Sequence, residues 1–137
     1  MDDHTEDLQP ASESQLKEIH DSAAVVAESC RTNLGVDIEL NAESIRWLDG
    51  YINRLRTGGF GENEFRKLAQ GFGSLLGEAL IAVYGGSWVR TDTGFGVLLK
   101  GLGVEYPFHR VVKQIECGAD ESVYRHFAKI SEIGNQE

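Results

Sequence analysis

Glu78 is a carboxylate set inside an apolar run, between Leu75-Leu76-Gly77 and Ala79-Leu80-Ile81. A carboxylate in such a place must be paired or hydrogen-bonded, or it keeps its proton. The sequence offers Arg90, Arg110 and Lys113 as cations. Two arrangements follow. Glu78 lies at a helix edge, facing solvent or held in a structural ion pair. Alternatively, Glu78, Arg90, His109 and Lys113 surround a shallow polar pocket beside Trp88 and bind a small ligand or substrate. Structural ion pairs and functional sites both perturb carboxylates, and the ion pair is the expectation.

The remaining reactive residues point to little chemistry. His4, His20, His109 and His126 include no two at metal-ligand spacing, so no metal site is expected. Cys117 could be joined to His109 or His126 as nucleophile and base, but nothing near it in the sequence activates the thiol. Cys30 and Cys117 are far apart. A disulfide between them stays open, and the expectation is two reduced, buried, inert thiols. The phosphate-loop, HExxH, CxxC and GxSxG patterns are absent. Gly71-Phe72-Gly73 falls inside a helical pattern, so it is not a dinucleotide fingerprint. No catalytic residue and no cofactor is assigned.

The elements that must position these residues are legible from periodicity. With 137 residues, 41% apolar and 26% charged, the chain fits one domain with a real core. Residues 1–11 read as a flexible acidic tail and 12–134 as a single α+β domain. Ser12 and Gln15 form a capping box for a first helix, with Leu16, Ile19, Ala23, Val26 and Cys30 on one face and Gly35 as its stop. That narrow stripe can pack on its own domain or seed a dimer; the former is expected. Val36, Ile38 and Leu40 alternate with Asp37 and Glu39, which predicts a short edge strand. Asn41 caps a second helix, with Glu43 in its first turn and Ile45, Leu48, Ile52 and Leu55 inward.

A third helix runs from Glu62 to Tyr84 with a wide apolar arc. Gly71, Gly73 and Gly77 interrupt it, each at a cost of about 1 kcal/mol against alanine, so close packing by another element is expected there. Gly85-Gly86 ends it. Strands follow at 87–91 and 95–100, joined by Asp92-Thr93-Gly94, and a third at 104–106. Pro107 opens a fourth helix, closed by Gly118, and a fifth starts at Ala119 or Asp120. The fold expected is therefore α+β: three helices, a small antiparallel sheet of about three strands over 87–106, and two helices.

Charge divides the chain. Residues 1–49 carry twelve acids and three bases, and residues 50–137 carry ten of each, so the net −9 belongs to the first third. Such a surface repels phosphate backbones, which excludes ordinary nucleic-acid binding. It attracts a basic partner, and Asp37, Glu39 and Glu43 are the candidate contacts. An acidic face can also be merely solubilising. Met1-Asp2-Asp3-His4 has no signal-peptide character, and the longest apolar segment, Phe72 to Tyr84, is short of the ~20 residues a membrane span needs. The expectation is a cytoplasmic protein with no membrane contact.

Leu76-Gly77-Glu78, Gly86-Ser87-Trp88, Tyr106-Pro107-Phe108 with Val111 and Lys113, and Gly118 followed by Glu121-Ser122 form an ordered set over residues 41–131. The set resembles a group of small bacterial domains of unknown function with a Gly-Glu helix, a Trp strand and a Pro-Phe helix start. The resemblance implies no activity. Some small acidic bacterial proteins of this general type are immunity proteins that neutralise a toxin. The functional expectation is thus a non-catalytic binding protein, such as an immunity or inhibitor protein for a basic partner. The alternative is a small-ligand binder or enzyme at Glu78, Trp88 and His109.

Overall fold

The computed structural model describes residues 8–59 and 61–135. Its elements in chain order are β1 (Gln9–Pro10), α1 (Glu13–Leu34), α2 (Ala42–Gly58), α3 (Glu62–Tyr84), β2 (Ser87–Thr91), β3 (Gly94–Leu99), β4 (Gly103–Glu105), α4 (Pro107–Cys117), a 3-10 turn (Gly118–Glu121) and α5 (Val123–Asn135). The α+β class and the three-then-two helix order are as expected. The sheet is larger than expected, with four antiparallel strands in the order β1-β2-β3-β4.

Local chemistry sets the helix ends. Ser12 Oγ accepts from the Gln15 N–H at 3.1 Å, and Gln15 Oε1 accepts from the Ser12 N–H at 2.8 Å. At the other end of α1, Gly35 takes φ 67° and its N–H reaches the Arg31 carbonyl, while the Val36 N–H reaches Cys30. Asn41 Oδ1 caps α2 by accepting from the Ser44 N–H at 2.9 Å.

α3 is the central helix. Phe72, Leu75, Leu76, Ala79 and Leu80 are buried along it, against Ile19 and Ala23 of α1, Ile45, Leu48 and Ile52 of α2, and Val97 and Leu99 of β3. Its glycines let neighbours in. A Cβ on Gly71 would meet Val26 at 2.3 Å, one on Gly73 would meet Phe108 at 2.3 Å, and one on Gly77 would meet Trp88 at 2.1 Å. α1 and α4 therefore seat on α3 where its backbone is bare.

Four expectations need correction. First, Gln9–Pro10 pairs with Arg90 and Val89 of β2, so the segment expected to be a tail reaches into the sheet; Met1–Asp7 lie outside the described residues. Pro10 fits because an edge strand tolerates a missing donor. Second, residues 36–40 form no strand. The Glu39 N–H instead donates to Ser44 Oγ at 2.8 Å, which ties this segment to the α2 cap. Third, α5 begins at Val123, after the 3-10 turn. Its first turn is satisfied by side chains: Asp49 Oδ2 accepts from the Tyr124 N–H at 2.9 Å, and Gln114 Oε1 from the Val123 N–H at 2.9 Å. Fourth, Cys30 is buried but Cys117 is exposed; both are free thiols.

Candidate functional site

The corner between α3 and β2 is built around Trp88, which is 3% exposed. Its ring lies over Gly77 and against Phe108, with ring centroids 5.7 Å apart. A buried indole N–H needs an acceptor. Glu78 Oε2 supplies it at 2.8 Å and also faces His20 Nε2 of α1 at 3.3 Å. Glu78 is thus neither sealed by Arg90, Arg110 or Lys113 nor open in a pocket. Its 18% exposed side chain bonds the indole and faces the imidazole of α1. Trp88 is packed as core and is closed to a ligand.

The five residues singled out for ligand binding do not line one pocket. Arg90 is exposed on β2, in register with Gln9 and Phe95. His109 stacks on Tyr106, ring centroids 5.6 Å apart and planes 23° from parallel. His109 and Lys113 share a cleft of about 360 Å3 between β4, α4 and α5, whose walls include Glu105, Arg110, Glu121 and His126. His126 Nε2 is bonded to Glu105 Oε1, and Arg110 lies 3.6 Å from Glu121. His109 also borders an apolar groove of about 610 Å3 floored by Ile19, Phe95, Phe108 and Val112. That volume is in the range of small-molecule sites.

Asp37, Glu39 and Glu43 do come together. They are exposed and line a groove of about 310 Å3 with Val36, Ile38 and Trp47, which are half-buried. None of the three carboxylates has an ion-pair partner within 4.0 Å among the described residues. Two of the four acids on α1 are engaged, Asp21 with Lys17 at 2.8 Å and Glu28 with Arg31, which holds the Glu28 carboxyl below its ordinary range. Trp47 stacks on Tyr51 at 5.0 Å, and Arg54 lies 5.6 Å over the Tyr51 ring.

Among the described residues no group of three or more His, Cys, Asp or Glu could hold a metal ion, and no helix is long and apolar enough to cross a membrane. Sequence reasoning missed His20 as the partner of Glu78, and the buried Gln114 with Asp49. Gln114 Nε2 donates to the Asp49 carbonyl at 3.0 Å and to Asn53 Oδ1 at 3.1 Å, which joins α2 to α4. Both look like ordinary polar helix residues in the sequence. No protein-family model, curated protein or solved structure matches the chain.

Proposed function

We propose that the protein is a non-catalytic cytoplasmic binding module for a basic protein partner, as an immunity or inhibitor protein is. The observation that supports this reading is the groove of Asp37, Glu39 and Glu43 around Trp47. Three unpaired carboxylates steer a cationic surface and set its register. A half-buried tryptophan beside them offers the aromatic anchor on which interface energy concentrates. The segment is held in place before binding, because Ser44 and Asn41 bind its backbone and the start of α2. A pre-ordered loop loses less entropy on association.

The test is affinity for a peptide of alternating arginine and leucine, measured against salt. Binding should weaken steeply as salt rises and be lost when Asp37, Glu39 and Glu43 are all replaced by lysine. Binding that ignores both changes contradicts the proposal.

A further inference from the structure

The cleft between β4, α4 and α5 engages both of its carboxylates and leaves Lys113 without one. Glu105 is bonded to His126, and Glu121 faces Arg110 at 3.6 Å. Those pairs account for both acids that line it. Lys113 and His109 lie four residues apart on α4, so they project from one face. Both line the cleft, and neither has a carboxylate partner within 4.0 Å among the described residues. The His109 ring is oriented by its stack on Tyr106. In a chain of net charge −9, this sets a lysine and an imidazole, both free of carboxylate partners, side by side in a concave surface.

We propose that this cleft binds a small oxyanion, with Lys113 and His109 as its direct ligands and Arg110 at the rim. The chemistry is that of a phosphate or a carboxylate. The ammonium of Lys113 offers three donors, the imidazole of His109 at least one, and the guanidinium of Arg110 has donors left beyond its long contact with Glu121. The cleft volume of about 360 Å3 admits an anion of a few heavy atoms with its remaining water. This site lies apart from the groove at Asp37, Glu39 and Glu43 and stands or falls independently of it.

The test is an NMR titration of the whole chain with sodium phosphate and, separately, sodium citrate, with sodium chloride keeping ionic strength constant. Saturable shifts confined to residues 104–113 and 121–126 are expected. Lys113→Ala should weaken binding by about tenfold or more. Lys100→Ala, at an exposed lysine outside the cleft, should leave it unchanged. His109→Gln serves as the second variant if Lys113→Ala disturbs the fold, which its amide spectrum reports. Saturation by phosphate alone identifies a phosphate site, and by citrate alone a carboxylate site. Shifts that never saturate, that spread over every basic residue, or that survive both Lys113→Ala and His109→Gln overturn the proposal.

Discussion

Gly77 has no room for a methyl group. A Cβ there would sit 2.1 Å from the Trp88 ring and 3.1 Å from Pro107, neither of which is the loose end of a flexible side chain. Gly77→Ala should therefore destabilise by about 1–3 kcal/mol despite alanine's better helix propensity. Gly58→Ala, where nothing lies within 4 Å, should be neutral or stabilising. Urea denaturation of the two variants checks this, and equal behaviour would remove the close-packing explanation. The thiols divide in the same local way. Cys117 is exposed and should react with a thiol reagent in the folded protein, whereas Cys30 should react only on unfolding. Burial pushes the Cys30 thiol up. Its contribution to stability is thus present below the unfolded thiol's range and fades as pH rises through the folded one. Rapid modification of both in native protein would contradict this placement. The sequence marks Glu78 as unusual because a charge breaks an apolar period. It does not reveal His20, since a helix face can be read from spacing but not which turn of another helix it meets.

At the scale of elements, what is local was legible. The α1 box of Ser12 and Gln15, the Asn41 cap of α2 and the left-handed Gly35 are dictated by residues within four positions of each other. What depends on a distant partner was not. β1 is two residues long and contains a proline, so it carries no alternation; it exists because β2 offers an edge at Val89 and Arg90. Residues 36–40 do alternate, yet they pair with no strand. The half-buried Val36 and Ile38 line the groove with Trp47 instead, and the exposed Asp37 and Glu39 flank them. Alternation shows a two-sided environment, not a strand. β1 gives a direct prediction. A chain starting at Ser12 loses the pairing of Gln9 and Pro10 and the Ala11 N–H bond to the Trp88 carbonyl. It should lose about 1–3 kcal/mol and leave a bare β2 edge beside Trp88. Thermal unfolding with unchanged midpoint would show that β1 is ornamental.

For the whole molecule, the α+β class follows from the order of periods in the chain, because each element's buried face is written in its own residues. The assembly of sites is not written there. Glu78, Trp88, Arg90, His109 and Lys113 look adjacent in a corner, but packing gives Trp88 and Glu78 to the core edge and His109 and Lys113 to a separate cleft. Asp37, Glu39 and Glu43 do converge, since seven residues of one capped segment cannot stray far apart. That acidic groove carries the proposed function. The measurement that tests it directly is an amide-shift map of the full chain titrated with the arginine–leucine peptide. The prediction is saturable shifts centred on residues 36–47, including the Trp47 indole, and abolished by Asp37→Lys, Glu39→Lys and Glu43→Lys together. Shifts spread equally along the acids of α1, or unchanged by those three substitutions, would contradict it.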